Sequence, residues 1–449
     1  MKEKLLNIYF NSPIWIQNLI ISIKGYQIKK NRFSSNFYKE LDFYQSLDNK
    51  SLHEKIVLEE ERLRKFLKNA KNSEYWNSRF LKYNINIDAI DIKKELKKLP
   101  ILTKDDVRKN IDLIKINKEP LISKRTSGTT GAGLILYETR EAENERWAVC
   151  WNYRIKQGIK LDQWYGWFGG MKIINSNVKK PPFWRINYPE KRVMFSAQHL
   201  NENTVDDYAN KILKQKLEWL HGYPSQISLF AALVKDKNYD FSFVKNITFG
   251  SENLLENQKI LIRKVFENAV LSEHYCMTEC VSNISQHSNE ELYLDRYFSY
   301  TEFIPTDIKN KYWIVGTNLS NPNFPLIRYN TNDIVEIIGG QIISIDGRKE
   351  DYVILKNGTK LGRLDHIFKG LIHIKEAQIY QPDFNNVVIR IVKSKSYDNH
   401  NEEKKLIKKL DLWFKNEINF KIEYLDKIER TKSNKLRFVV SEIKNKQFF

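Results

Sequence analysis

From residue 121 to about residue 347, short apolar runs alternate with helical segments along the chain. The apolar runs include "WYGWFGG" and "KYWIVGTNL", and "KLEWLHGYPSQISLFAALV" joins a strand-like run to a helix-like run. This alternation is typical of an α/β domain, in which helices cover a sheet. We therefore expect an α/β fold for the larger part of the chain.

After about residue 347 the pattern becomes that of a small α+β unit. "NNVVIRIVKS" predicts a strand, and "FKIEYLDKIERTKSNKLRFVV" predicts two strands around a polar turn. Between them, "NEEKKLIKKLDLWFKNE" predicts an amphipathic helix. Its apolar face comprises Leu406, Ile407, Leu410, Trp413 and Phe414. We expect a large N-terminal α/β domain over residues 1–346 and a small C-terminal domain over residues 347–449.

Local signals also predict helices before the α/β region. Residues 52–84 have apolar residues at helical spacing. In "LPILTKDDVRKN", Thr103 stands three residues before Asp106, which predicts a helix that begins after Thr103 as its N-cap.

The chain is strongly basic. Its 449 residues include 74 Lys and Arg against 55 Asp and Glu, a net charge of +19. Such a charge favours nucleic-acid or membrane-surface partners. The basic residues are interleaved with acidic ones, as in "EEERLRK", and no nucleic-acid-binding signature appears. We attribute the charge to solvated faces and expect no nucleic-acid partner.

Cysteine usage and the N-terminus bear on localisation. Cys150, Cys276 and Cys280 are too few for a disulfide framework, which favours a reducing cytoplasmic compartment. "IWIQNLIISI" near the N-terminus is too short for a bilayer span, which needs about 20 apolar residues. It predicts a helix packed against the body; a peripheral membrane contact is the alternative.

The loop "RTSGTTGAG" over residues 125–133 has the residues that a phosphate chain requires. Gly128 and Gly131 allow close backbone approach, and Ser127, Thr129 and Thr130 add hydroxyl donors. Such a loop can form an anion-binding nest. A polar turn between two strands is the alternative, and the loop by itself does not separate them.

Six segments in order resemble the motifs of the adenylate-forming enzymes, a family of acyl-CoA synthetases, adenylation domains and luciferases. "SGTTG" resembles the family's phosphate loop, and "HYCMTE" resembles its Tyr-Gly-x-Thr-Glu motif. The others are "FGSENL", "PLIRYNTND", "GRKED" and "RTKSNKLR". "LPILTKDDVRKN" and "HGYPSQI" further resemble the phenylacetate-CoA ligases and their CapK-type relatives, which are associated with capsular polysaccharide biosynthesis.

The resemblance implies a nucleotide site. It places Thr126, Ser127, Gly128, Thr129, Thr130 and Gly131 around the ATP phosphates. It places Gly250, Ser251, Glu252 and Tyr275 against the adenine, and Thr278 near the α-phosphate. Asp333 and Arg348 would bind the ribose, and Glu279 would hold Mg²⁺.

The resemblance also implies a mobile C-terminal domain. Lys435 matches the catalytic lysine, whose charge would stabilise the forming acyl-adenylate. Glu350 matches the hinge carboxylate about which the small domain turns.

Five positions depart from the family pattern. Gly133-Leu134 stands where the phosphate loop often has Pro-Lys, and Cys276 replaces a glycine, where its side chain would project towards the acyl pocket. Asn332 and Asn434 also replace glycines; asparagine tolerates the left-handed backbone conformation better than most residues.

These features predict an adenylate-forming ligase. It would convert a small-molecule carboxylate with ATP and Mg²⁺ into an acyl-adenylate, and pass the acyl group to coenzyme A or to a sugar hydroxyl or amine. The CapK-type resemblance implies a role in surface polysaccharide biosynthesis, alongside glycan-assembly or membrane partners. A catalytically silent fold that serves as a scaffold in glycan assembly is the alternative.

Overall fold

The computed structural model describes most of the chain. The described residues are 2–116, 121–125, 134–287, 290–348, 353–356, 360–361, 364–368, 371, 373–394, 397–398, 400–414, 417–431 and 436–443. They form two compact units, Met1–Tyr26 with Asp162–Glu273 and Lys349–Phe449 (the first unit), and Gln27–Leu161 with His274–Arg348 (the second unit).

The described helices occur throughout the chain. They are α1 Lys2–Asn11, α2 Ile14–Arg32, α3 Ser35–Asp48, α4 Leu52–Ala70, α5 Glu74–Lys82, α6 Ile92–Leu96, α7 Lys104–Lys109, α8 Ile111–Ile114, α9 Arg140–Lys156, α10 Val205–Gln215, α11 Pro224–Val234, α12 Glu256–Val265 and α13 Asn401–Phe414, with one 3₁₀ helix at Leu364–Phe368.

The described strands begin at residue 122. They are β1 Ile122–Arg125, β2 Ile135–Glu138, β3 Tyr165–Phe168, β4 Trp184–Asn187, β5 Arg192–Phe195, β6 Trp219–Gly222, β7 Asn246–Phe249, β8 Val270–Cys276, β9 Asn283–Gln286, β10 Leu292–Leu294, β11 Tyr300–Pro305, β12 Lys311–Thr317, β13 Tyr329–Ile338, β14 Gln341–Arg348, β15 Val353–Ile354, β16 Lys360–Leu361, β17 Ile374–Gln381, β18 Asn386–Lys393, β19 Asn419–Tyr424 and β20 Val439–Ser441.

The first unit contains the α/β sheet that the sequence predicts. Strands β5, β3, β6, β7 and the start of β8 are parallel neighbours, and β4 pairs antiparallel with β5. Parallel neighbours need crossover connections, which here contain α10, α11 and α12. The core includes Trp219, Tyr208 and Phe230, all fully buried. The α/β fold class is confirmed.

Residues 353–443 supply the α+β portion of the same unit. Its sheet has the order β19-β18-β17-β20, with β17 and β18 antiparallel and each edge strand parallel to its neighbour. Helix α13 buries Leu406, Leu410 and Phe414 as predicted. The prediction for Ile407 was wrong: its side chain is 38% exposed, because it lies at the border of the stripe that its neighbours bury. The domain boundary at residues 346 and 347 stays a prediction.

The second unit has an antiparallel sheet that runs from the end of β8 through β9, β10, β14, β13 and β12 to β11. Helices α4 and α5 contribute buried Leu63, Phe66 and Trp76 to a core shared with the segment around Phe324. The helices predicted for residues 52–84 are thereby confirmed.

The N-terminal helix α2 is fixed to the edge strand β4 of the first unit. Arg185 Nε donates to Gln17 Oε1 at 2.6 Å, and Ile186 N donates to Asn18 Oδ1 at 3.0 Å. This agrees with a helix packed against the body. Among the described residues, no helix combines the length and apolar character that crossing a bilayer requires. The peripheral membrane contact stays a prediction.

Thr103 caps α7 as predicted. Its hydroxyl accepts from Asp106 N at 3.1 Å, and Asp106 Oδ2 accepts from Thr103 N at 2.9 Å. This reciprocal pair is a capping box, which satisfies two backbone donors at the helix start. The bond from the Thr103 hydroxyl holds the pKa of Asp106 below its usual value.

Thr103→Ala should lower the free energy of unfolding by about 1 kcal/mol, because an N-cap hydroxyl contributes roughly that amount. Urea unfolding followed by circular dichroism measures the change. Ser46→Ala, at an exposed serine within α3, is the control and should shift stability by less than about 0.5 kcal/mol. The hydrogen bond between Thr103 and the Asp106 carboxylate contributes its full stability above the pKa that Asp106 has in the unfolded chain. The loss of stability in Thr103→Ala should therefore shrink as the pH falls through the lower pKa that Asp106 has in the folded protein. If Thr103→Ala lowered the free energy of unfolding no more than Ser46→Ala does, Thr103 would not stabilise α7 as its N-cap.

Candidate functional site

Part of the predicted site lies outside the described residues. This applies to Thr126–Gly131 of the phosphate loop, to the hinge residue Glu350 and to Lys435. Arg348 is described only as backbone at the end of β14. The roles of all these residues stay predictions.

The strands on either side of the phosphate loop form an antiparallel pair. Arg125 pairs with Ile135, so the two strand ends that the loop joins are neighbours. Lys124 Nζ contacts Glu143 Oε1 at 2.7 Å and Glu138 Oε1 at 3.1 Å, and Glu138 also pairs with Arg146 at 3.0 Å. These partly buried ion pairs fix β1 and β2 to α9.

Tyr275 and Asp333 come together in the second unit although 58 residues separate them. The phenol of Tyr275 donates to Asp333 Oδ2 at 2.7 Å. Burial, with the charge of Asp333, raises the pKa of Tyr275 well above its usual value, so the phenol stays a donor. Asp333 also pairs with Arg348 between β13 and β14. Two predicted ribose-binding residues and one predicted adenine-binding residue are thus neighbours.

The backbone around Asp333 has the shape that the sequence predicts. Asn332 has φ of 60°, in the left-handed region, as expected for an asparagine in place of glycine. Asp333 N donates to Thr331 Oγ1 at 3.0 Å, and Thr331 Oγ1 donates to Ile314 O at 2.8 Å. These bonds fix the backbone from which the Asp333 side chain projects.

Thr278 and Glu279 lie in a tight turn after β8. Cys280 N donates to Met277 O at 3.1 Å, and Cys280 has φ of 56°. The Thr278 side chain is exposed and that of Glu279 is half-buried. In the described part of the chain, no cluster of three or more His, Cys, Asp or Glu residues could hold a metal ion. Glu279 places one carboxylate in this turn, and its role towards Mg²⁺ stays a prediction.

Arg328, within the motif "PLIRYNTND", has a role that sequence reasoning missed. It is buried, with Nε 2.9 Å from Glu302 Oε2 and Nη2 3.1 Å from Glu302 Oε1. Its Nη1 also donates to the carbonyls of Lys97 and Leu99. The guanidinium thus anchors the start of β13, which carries Asp333. The sequence offers no signal for this pairing, because Glu302 belongs to a different strand.

In the first unit, Gly250, Ser251 and Glu252 follow β7. Gly250 N donates to Gly222 O at 3.3 Å. A Cβ atom added to Gly250 would lie 3.9 Å from His221 Cε1, which is an ordinary van der Waals contact. Packing of the described residues therefore does not require this glycine. Ser251 has φ of 71° and an exposed side chain.

Glu252 connects two backbone segments of the first unit. Its Oε2 accepts from Ser225 N at 3.1 Å, at the start of α11, and its Oε1 accepts from Leu436 N at 2.9 Å. Burial raises the pKa of Glu252, opposed by these hydrogen bonds and by the charge of Arg430. Arg430 donates to Ser225 Oγ at 3.0 Å and pairs with Glu376. The residue that follows Lys435 is thus held by a carboxylate of the predicted nucleotide site.

Comparisons with known proteins bear on the family and on the fold. Residues 353–442 match the family model described as "CapK C-terminal domain". The chain is 29% identical to "Protein CapK" of Staphylococcus aureus, over 97% of this chain and 99% of that protein.

Solved structures show the same fold. A 2-hydroxyisobutyryl-CoA ligase in the postadenylation state, in complex with R3-HIB-AMP, has a TM-score of 0.65 and 14% identity, covering 86% of this chain and 89% of that one. The same ligase in complex with 2-HIB-AMP and CoA in the thioesterification state has a TM-score of 0.52 and 15% identity, covering 87% of this chain and 90% of that one.

The chain therefore has the fold of the adenylate-forming ligases, with a mixed α/β body and a C-terminal α+β portion. It is also similar to CapK over nearly its whole length, and residues 353–442 match the CapK C-terminal domain. The fold that the motifs imply and the similarity to CapK are confirmed.

Glu252→Gln should loosen the segment after Lys435. The amide can replace only one of the two acceptor oxygens, and a hydrogen bond to a charged group contributes about 1.5–3 kcal/mol. Hydrogen–deuterium exchange at Leu436 should therefore accelerate by roughly 10- to 100-fold. Glu256→Gln, at an exposed position in the first turn of α12, is the matched control. Unchanged protection of Leu436 in Glu252→Gln would show that the bond has no such role.

Proposed function

We propose that this protein is an ATP-dependent ligase that activates a carboxylic acid. In the first step the carboxylate displaces pyrophosphate from ATP and gives an acyl-adenylate. In the second step the acyl group passes to coenzyme A or to a sugar hydroxyl or amine. The hydrogen bond between Tyr275 and Asp333 carries the proposal, because it joins two separate motifs of the class in one local arrangement.

Asp333 is suited to bind the ribose of the nucleotide. A carboxylate accepts hydrogen bonds from two hydroxyl groups, and the donor on Tyr275 sets its orientation. The backbone of Arg348 is its cross-strand neighbour in β14. In this proposal Tyr275 contributes its ring face to the adenine while its hydroxyl group stays on Asp333.

The remaining residues act on the phosphates. Thr278 offers an exposed hydroxyl to the α-phosphate, and Glu279 is the carboxylate for Mg²⁺. When bound, Mg²⁺ would neutralise phosphate charge as ATP is cleaved. Thr126–Gly131 would donate hydrogen bonds to the phosphate chain.

Lys435 is the proposed catalytic residue. An ammonium group near the carboxylate and the α-phosphate stabilises charge that develops only in the transition state. The hydrogen bond from Leu436 N to Glu252 supports this assignment, since it fixes the neighbouring residue to the 250–252 segment. We further propose that residues 347–449 form a small domain that turns about Glu350 between the two half-reactions.

The biological role that we propose is acylation during surface polysaccharide assembly in the cytoplasm. It rests on the similarity to CapK. A catalytically silent scaffold is the competing role, and the absence of the usual Pro-Lys after the phosphate loop favours it. ATP–pyrophosphate exchange with a panel of amino, hydroxy and aryl acids separates the two, because a scaffold would bind ATP without exchange.

Lys435→Ala should slow adenylate formation by roughly 100-fold or more, as expected when a charge that stabilises the transition state is lost. ATP–pyrophosphate exchange measures this step. ATP affinity, measured by calorimetry, should change little, because the phosphate loop is intact. With synthetic acyl-adenylate, transfer should proceed at a near-normal rate.

Lys432→Ala is the matched control, since it removes a lysine from the same segment. It should retain exchange. Equal exchange by Lys435→Ala and Lys432→Ala would show that Lys435 is not the catalytic lysine. Absence of exchange by the wild type with every acid would favour the scaffold.

Thr129→Val with Thr130→Val should weaken ATP binding. Each substitution nearly preserves volume but removes one hydroxyl donor, and a hydrogen bond to a charged group contributes about 1.5–3 kcal/mol. Isothermal titration calorimetry should therefore show at least about tenfold lower affinity. Unchanged affinity would remove the loop from the phosphate site and leave it as a turn between β1 and β2.

A further inference from the structure

A row of polar side chains lies on one face of the second unit's sheet. Cys276 pairs with Asn283 between β8 and β9, and His274 pairs with Ser285. Residues directly opposite each other project to the same face, as do residues two apart on one strand. Asp295 follows β10, and its amide donates to Asn283 O at 3.0 Å. Register alone therefore places Cys276, His274, Asn283 and Asp295 together.

Hydrogen bonds connect the side chains of this row and determine which ring nitrogen of His274 carries a proton. Asp295 accepts from Asn283 Nδ2 at 2.7 Å and from Ser285 Oγ at 2.9 Å. Because a carboxylate only accepts, the Asn283 amide must direct its Nδ2 towards Asp295 and its Oδ1 towards His274. His274 Nε2 lies 3.1 Å from that oxygen, so Nε2 carries the proton. Nδ1 is then the ring nitrogen that can take a proton from a thiol.

The surroundings of His274 favour a positive ring. Burial opposes its charge, but the neighbouring sulfur groups of Cys276 and Cys150 raise its pKa well above the usual value. Tyr153 stacks on the ring, with centroids 4.7 Å apart.

Other charged groups also face this cluster. Burial opposes the thiolate of Cys150, yet Arg154, His274 and Arg32 lower its pKa to about 6. Burial raises the pKa of Asp295, against the charges of His274 and Lys156. These groups therefore favour the protonated, positively charged ring of His274 next to the sulfur atoms.

The two thiols differ in access. The Cys276 side chain is exposed, whereas Cys150 is half-buried in α9. Since a nucleophile must reach its electrophile, Cys276 is the thiol that can react. A cysteine, a histidine that can take its proton and an amide that orients the histidine are the parts of a nucleophilic catalytic centre.

We propose that Cys276 is a nucleophile that takes the acyl group from the acyl-adenylate, with His274 as its base and Asn283 and Asp295 as positioning residues. This inference rests on the function proposed above. It makes the second step a transfer through a thioester on the protein, from which a hydroxyl or amine acceptor receives the acyl group.

The reaction balances without a further reagent. The Cys276 proton passes to His274 Nδ1, and the sulfur attacks the carbonyl carbon of the acyl-adenylate. The bond between that carbon and the phosphate oxygen breaks, and AMP leaves with the electron pair. The acceptor oxygen or nitrogen then attacks the thioester carbon and releases its proton to solvent. The bond between that carbon and the sulfur breaks, and the sulfur leaves with the electron pair and recovers a proton from His274.

Acylation is tested by intact-protein and peptide mass spectrometry under reducing conditions. The protein is incubated with synthetic acetyl-adenylate, and separately with ATP, Mg²⁺ and any acid that supports pyrophosphate exchange. We expect an acyl adduct on Cys276 that hydroxylamine releases. The adduct should form in Cys150→Ser and Cys280→Ser and be absent from Cys276→Ala.

The base is tested without any acyl donor. At pH 7, alkylation of Cys276 by iodoacetamide should be at least about tenfold faster in the wild type than in His274→Ala, because the thiolate is the reacting form. Asn283→Ala should fall between the two. Equal rates in the wild type and His274→Ala would overturn the role of His274.

These results separate the inference from the proposed function. Pyrophosphate exchange without an adduct from either acyl donor would overturn the thioester and leave adenylation in place. Absence of exchange together with an adduct from acetyl-adenylate would support Cys276 and count against adenylation. Unimpaired acyl transfer by Cys276→Ala, with only an altered preference among acids, would show that Cys276 lines the acyl pocket and is not a nucleophile.

Discussion

The buried ion pair of Arg328 with Glu302 holds the segment on which the second unit's candidate site depends. The guanidinium bonds both carboxylate oxygens and two backbone carbonyls, so its charge is compensated although water is excluded. Loss of one partner of such a pair leaves an uncompensated charge in the interior. Arg328 stands five residues before Asp333 in the chain, and the pair therefore fixes the base of the strand that presents this carboxylate.

Strand β8 contributes reactive and binding side chains to both faces of the sheet, because successive residues of a strand project to opposite faces. Tyr275 projects to one face, where its phenol meets Asp333. His274 and Cys276 project to the other face, where Asn283 and Asp295 complete a polar row. One short strand thus supports both proposals, nucleotide binding through Tyr275 and acyl transfer through Cys276.

Local features of the structure were largely predictable. Thr103 and Asp106 form the expected capping box, because the two side chains and the two amides lie within one turn. Asn332 adopts the left-handed backbone expected where the family has glycine. Helix α13 buries Leu406, Leu410 and Phe414, which share a face at helical spacing. Ile407 was misassigned because periodicity identifies a stripe but not its border, which depends on the surface against which the helix packs.

The sequence by itself determined the α/β class, the positions of many elements and the order of the motifs, since propensity, capping and periodicity act over a few residues. Only the tertiary structure decided which distant side chains meet: Tyr275 with Asp333, Arg328 with Glu302, Glu252 with the amide of Leu436, and His274 with Asn283. These pairs depend on strand register and on packing between segments that are far apart in the chain. A shift of one residue in the register of β8 would turn Tyr275 and His274 to the opposite faces, and no local pattern specifies that register.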